Sequence, residues 1–223
     1  MPIQPGGSLL SFASYTYELN TATRINSYFF MTQVSRMKLI LASSSLRRLH
    51  LLAQIGITPD AVVSPDIDES VVQNETPREY VKRMASAKTD SAKQSSKYLL
   101  AADTAVVCGN RILPKAESED AAVYCLSLLS GRRHKVLGSI CLLLPNGERR
   151  MRLVETTVSF KRLTESEIES YLHSSEWDGK AGGYAIQGRA ATFVKHISGS
   201  YSNVVGLSLY DVAQLLRGNG YQW

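Results

Sequence analysis

Five residues, Lys38-Leu39-Ile40-Leu41-Ala42, form a short, mostly apolar run, and Ser43-Ser44-Ser45 then leads into Leu46, Leu49 and Ala53 at helical spacing, with Gly56 ending the pattern. The order is strand, serine turn, helix. Residues 57–63 predict a second strand, and Pro65-Asp66-Ile67-Asp68-Glu69-Ser70 an acidic loop. Thr76-Pro77-Arg78-Glu79 is a helix start, with Thr76 as cap, Pro77 at the first helical position and Glu79 placed to close a capping box. That helix is expected to run to about Lys97, with Val81, Met84, Ala85 and Lys88 on one face. The residues alone favour a lysine whose stem packs at the border of the apolar side while its charge reaches water.

A buried strand follows at Leu99-Leu100-Ala101-Ala102-Asp103-Thr104-Ala105-Val106-Val107, and Gly109-Asn110 marks a tight turn. A helix near Ser118 to Ser130 ends at Gly131, and apolar-rich segments 134–144 and 149–160 flank Asn146-Gly147, a strong hairpin signal. Thr164 and Glu167 form a second capping box, opening a helix through Ile168, Tyr171 and Leu172. Four glycines between Gly179 and Gly188 surround Lys180, Tyr184 and Gln187, a density that suits backbone approaching something closely. A strand over 191–197 and a last helix over 204–217 complete the chain. Strands and helices alternate around one hairpin, which predicts an α/β fold with a mixed β-sheet flanked by helices.

The 223 residues, 44% hydrophobic and 20% charged, suit one domain or two compact lobes sharing a cleft. No run of about eighteen apolar residues is present, so no membrane partner is expected. The net charge of +5 is spread without a basic block of five, which argues for a cleft taking a phosphorylated small molecule rather than for nucleic acid. Cys108, Cys125 and Cys141 are odd in number and lack CxxC spacing, so they read as reduced core residues of a cytoplasmic protein. Residues 1–36 carry only Glu18, Arg24 and Arg36 as charges and no sustained period. They are expected to be an N-terminal extension, disordered or a start assigned too far upstream, with the domain over 37–223; the missing apolar core of a signal segment argues against targeting.

Asp103 is costly in an apolar strand unless a metal, a cation or a set of hydrogen bonds offsets it; otherwise it caps a loop at the strand end. The turn Ser43-Ser44-Ser45-Leu46-Arg47-Arg48 delivers backbone amides and the positive end of a helix dipole, with hydroxyl and guanidinium donors for phosphate. It lacks the GxxxxGK spacing of a Walker loop. Alone, it also reads as a serine-capped helix with two solvated arginines.

Taken in order, Ser43-x-Ser45-x-Arg47-Arg48, Ala102-Asp103-Thr104, Leu129-Ser130-Gly131-Arg132-x-His134, Lys180-Ala181-Gly182-Gly183-Tyr184-Ala185-Ile186-Gln187-Gly188 and Gly199-Ser200-Tyr201-x-Asn203-Val204-Val205-Gly206-Leu207 resemble the Maf family of nucleoside triphosphate pyrophosphatases. The resemblance covers about Lys38 to Arg217. It implies an elongated α/β fold of two lobes related to inosine triphosphate pyrophosphatases, with the nucleotide in the cleft. It further implies cleavage between the α and β phosphorus atoms with a divalent metal cation, Mg²⁺ or Mn²⁺. Asp103 then becomes the catalytic acid/base, and Asp68, Glu69 and Asp103 the metal ligands. Lys88, Lys115 and Lys180 would neutralise the triphosphate alongside Ser43, Ser45, Arg47 and Arg48, while Arg47, Thr104 and Gln187 would select the base. A Gln amide offers a donor and an acceptor to the O4 and N3–H edge of thymine or uracil, so dTTP and UTP are the expected substrates. A 7-methyl-GTP or other modified-nucleotide pyrophosphatase, or a non-catalytic nucleotide-binding regulator of septum formation, are the alternatives, with a homodimer as the assembly left open. The chain departs from the family pattern at Pro114-Lys115-Ala116, at Glu176-Trp177-Asp178-Gly179-Lys180 and at Gly206-Leu207-Ser208.

Overall fold

A computed structural model describes residues 37–92 and 96–223, so the expected extension over 1–36 lies outside the described residues. Strand β1 (Leu39–Ala42) runs into helix α1 (Leu46–Gln54), strand β2 (Ala61–Val63) and helix α2 (Pro77–Ser91). Thr76 and Glu79 make the reciprocal capping box at the start of α2. The helix stops at Ser91 rather than near Lys97, with Ala92 leaving the helical conformation as its C-cap. Then follow β3 (Tyr98–Cys108), β4 (Arg111–Leu113), β5 (Lys115–Ala116), α3 (Glu119–Leu129), β6 (Arg133–Leu143) and β7 (Arg149–Phe160). The β6–β7 hairpin closes over Asn146-Gly147, with Gly147 at a φ of 87° that favours glycine.

After α4 (Glu165–Leu172) and β8 (Lys180–Ala181), the expected strand over 191–197 divides into a 3₁₀ turn (Arg189–Phe193) and β9 (Val194–Ser198). The last predicted helix also divides, into α5 (Tyr201–Val205) and α6 (Leu209–Gly218). Gly206 interrupts it with a φ of 144°, and the Ser202 carbonyl accepts from both Gly206 N and Leu207 N, so the helical ladder cannot continue. Among the described residues the main sheet has the order β2-β1-β3-β6-β7-β9, with β4 folded back on β3. β1 is parallel to β2 and β3, the other pairs are antiparallel, and β5 with β8 makes a separate two-strand ladder.

Because the chain leaves β1 for β2 on one side and returns to β3 on the other, a topological switch point lies beyond the ends of β1 and β3. β1 pairs with β3 only as far as Ala42 opposite Ala101, so β3 runs on past its neighbour. Asp103 and Thr104 occupy the first part of that overhang. Side chains of a strand alternate between faces. Leu100 and Ala102 enter the core shared with α1 and α6, while Val106, on the same face, enters a second core with α3 and α4. Leu99, Ala101, Ala105 and Val107 belong to the opposite face, the one α2 covers. Two cores thus share one face of the sheet with Thr104 between them, and Asp103 stands on the other face between Ala101 and Ala105.

Candidate active site

Asp103 falls on the α2 face of β3, and its burial to 7% exposure is matched by Lys88, only 6% exposed. Lys88 Nζ donates to Asp103 Oδ1 at 2.7 Å and approaches Glu69 Oε1 at 2.8 Å. The lysine is therefore inside, not reaching to water. An apolar helix face that ends in an ammonium is what a buried carboxylate needs, since an unpaired charge there would cost several kcal/mol. Glu69 Oε2 also receives Lys115 Nζ at 2.5 Å. Burial opposes ionisation of Glu69, but the hydrogen bonds from Lys115 and Lys88 prevail and hold its carboxyl down at about 2.

A cleft of about 440 Å³ opens at this point. The serine turn, Arg47, Lys88, Asp103, Thr104, Lys115, Lys180 and Gln187 all line it, as does Glu69. Arg47 is half-buried, and burial lowers its pKa. Burial and the neighbouring Arg47 charge likewise lower that of Lys180, whose Nζ donates to the Asp178 carbonyl at 2.6 Å. Several cations thus crowd one concavity with few anions to balance them, an arrangement suited to a polyanion.

Two expected ligands are used otherwise. Asp68 does not line the cleft: its two carboxylate oxygens accept from Ser70 N at 2.8 Å and Ser70 Oγ at 2.9 Å, which closes an exposed turn. Arg48, expected on phosphate, also lines the cleft, but at 9% exposure its guanidinium nitrogens bond to the protein. Its Nε donates to Gly206 O at 2.9 Å, Nη1 to Ser43 Oγ at 3.0 Å and Nη2 to Thr104 Oγ1 at 3.3 Å. Thr104 Oγ1 in turn donates to the same Gly206 carbonyl at 3.1 Å. The break between α5 and α6 turns that carbonyl inward, and Asn203 holds α5 on the sheet by donating to Val136 O and Thr156 Oγ1, each at 3.1 Å. Asn203 sits so close that a Cβ on Gly138 would lie 2.0 Å from its Oδ1. The Gly206 carbonyl and the Asn203 anchor carry no chemical signal of their own in the sequence.

Glu69 and Asp103 are the carboxylates that converge, both within 2.8 Å of one ammonium. Mg²⁺ is ordinarily held by one or two carboxylates together with substrate phosphates and water, so this donor set fits such a cation once a triphosphate supplies the remaining oxygens. Among the described residues there is no group of three or more His, Cys, Asp or Glu side chains that would cage a metal from protein alone.

The model of the family described as Maf-like protein matches residues 38–219. This chain belongs to that family. A dTTP/UTP pyrophosphatase of Rhodopseudomonas palustris (strain BisB5) is 53% identical over 196 residues, covering 84% of this chain and 95% of that relative. Proteins of the same name from Mesorhizobium japonicum and Caulobacter vibrioides are each 52% identical, covering 83% and 82% of this chain and 93% and 96% of theirs. Among solved structures, a HAM1 protein from Coxiella burnetii overlays with a TM-score of 0.47 at 16% identity, over 82% of this chain and 99% of that one. As a Maf-like protein the chain keeps all five ordered motifs within the matched span, and four of them line the cleft in part. The remaining one, ending in His134, does not line it: Leu129 and His134 are buried, and Gly131 and Arg132 between them are exposed.

Proposed function

We propose that this Maf-like protein hydrolyses nucleoside triphosphates, with dTTP and UTP as substrates, to the nucleoside monophosphate and pyrophosphate. The observation that carries the proposal is the convergence of Asp103, Glu69 and Lys88 in a cleft otherwise walled by cations and the serine turn. The names of the relatives at 52–53% identity support both the reaction and the pyrimidine bases.

Glu69 and Asp103 would hold a divalent cation, Mg²⁺ or Mn²⁺, which when bound supplies positive charge against the triphosphate. Lys88 aims the Asp103 carboxylate by binding Oδ1, and the second carboxylate oxygen accepts the proton of the attacking water. Arg47, Lys115 and Lys180 neutralise the charge that builds on the departing pyrophosphate, and the Ser43 to Ser45 turn presents amides at the start of α1. Phosphoryl transfer gains most of its rate from such placement of charge. Gln187, which also lines the cleft, offers its amide to the O4 and N3–H edge of the base. We place the reaction in the cytoplasm: Cys108, Cys125 and Cys141 are free thiols, and burial pushes Cys125 to about 11 and raises Cys141. Among the described residues no helix is long and apolar enough to cross a membrane.

The test is a panel of triphosphates with Mg²⁺ and product identification. dTTP and UTP should yield monophosphate plus pyrophosphate, and Asp103→Asn should abolish it; diphosphate plus phosphate would refute the reaction, and a preference for 7-methyl-GTP would refute the base assignment.

A further inference from the structure

His134 ends the one shared motif that the proposed chemistry leaves without a role. It lies on β6 at 2% exposure, and its Nε2 is 2.8 Å from Tyr184 Oη. Its Nδ1 is buried without a partner among the described residues. Burial lowers the imidazole to about 4, so the ring is neutral at ordinary pH and carries one proton. The bond between Nε2 and the Tyr184 hydroxyl carries a single proton, given by either partner, and it ties the phenol to the imidazole. The two rings meet edge-on with centroids 5.5 Å apart, and Phe160 stands edge-on to both at 5.0 and 4.9 Å.

The neighbouring residue is fastened as well. Ala185 N donates to Tyr171 Oη at 3.0 Å, so two phenolic oxygens hold two consecutive residues of the 182–188 loop. The loop enters this grip through Gly182 and Gly183, at φ values of 69° and 68°, and leaves it where Arg189 N donates to Glu176 Oε2 at 2.7 Å. Between these fixed points Tyr184, Ala185, Ile186 and Gln187 line the cleft, and of the four only Gln187 is exposed. A residue two or three positions from two buried hydrogen bonds inherits their placement.

We propose that His134 and Tyr171 are positioning residues for base selection: by gripping Tyr184 and Ala185 from behind the loop, they set where the Gln187 amide stands in the cleft. This deepens the function proposed above and rests on it, since Gln187 must read the base for its placement to count. The test compares kcat/KM for dTTP with that for dCTP, whose edge reverses the donor and acceptor of O4 and N3–H. Tyr184→Phe should lower the dTTP/dCTP ratio about fivefold, the factor of one lost neutral hydrogen bond, through KM for dTTP. In a Gln187→Ala background the same substitution should change the ratio less than about twofold, because the two act through one contact. Tyr171→Phe, which frees the Ala185 amide, should act in the same direction and serves if Tyr184→Phe does not fold. An equal loss on both nucleotides, an unchanged ratio, or a full effect persisting without Gln187 would overturn the positioning role. A wild-type enzyme with no preference for dTTP over dCTP would overturn the base assignment itself, and this inference with it.

Discussion

Replacing Arg48 by Lys separates two uses of a guanidinium next to a phosphate-binding turn. If Arg48 grips phosphate, the substitution keeps the charge, leaves the unliganded protein as stable as before and raises KM. The geometry argues otherwise, since three guanidinium nitrogens already reach Gly206 O, Ser43 Oγ and Thr104 Oγ1 within 3.3 Å. A lysine ammonium has no planar fork and would satisfy one of these acceptors, so two buried hydrogen bonds are lost at about 1 kcal/mol each, or somewhat more for a charged donor. The expected cost is about 2–3 kcal/mol, measured by urea unfolding without nucleotide, and a melting temperature lower by roughly 5–10 °C for a domain of this size. Arg47→Lys is the matched control, expected within about 0.5 kcal/mol of wild type because Arg47 lines the cleft without such bonds. An Arg48→Lys protein that unfolds like wild type but binds triphosphate more weakly would refute the clamp and return Arg48 to the phosphate.

Two further perturbations follow from the same geometry. Gly182→Ala places a Cβ 2.8 Å from Val106 Cγ1 at a φ of 69°, so it should cost about 2 kcal/mol or more in urea unfolding; in a Val106→Ala background, where Cγ1 is gone but Cβ remains 3.0 Å away, Gly182→Ala should cost less but still destabilise, and no cost there would deny the conformational strain. The Glu69 carboxyl is held at about 2 in the fold against an ordinary 4.5, so its ion pairs stabilise the protein fully above pH 4.5 and fade as pH falls toward 2. The gap in urea midpoint between wild type and Glu69→Gln should narrow over that window; a gap constant with pH would show that the Lys88 and Lys115 pairs do not carry it.

The parts of this fold that are legible in the chain are those encoded by neighbours. Thr76 with Glu79, Thr164 with Glu167 and Asn146 with Gly147 each act within four residues, and the structure places each where local chemistry requires it. The helix over 204–217 fails for the opposite reason. Its apolar spacing continues unbroken through Gly206, where the backbone turns to a φ of 144° and the Gly206 carbonyl faces inward to accept from Arg48 and Thr104, partners distant in the chain. Lys88 is hard to read for the same reason, since a lysine at the edge of an apolar face differs from a buried one only by a carboxylate fifteen residues on.

The candidate site divides along this line. Residue types that bear charge or can read a base announce themselves in the motifs, and most of them do line the cleft. What each is bonded to does not announce itself, because many of the deciding partners are backbone groups that every residue carries. Arg47 and Arg48 are chemically identical and adjacent and both line the cleft, yet Arg48 alone of the two also reaches a carbonyl 158 residues away. Asp68 and Glu69 part in the same manner, one closed on the Ser70 backbone and the other bridging two lysines. In each pair a helical or loop rotation of one residue selects which charge meets the substrate and which holds the frame. Exchanging Asp68 and Glu69 would therefore keep the composition of the motif and lose the site, whereas at the identical Arg47 and Arg48 it is the spacing from the serine turn that assigns each its partners.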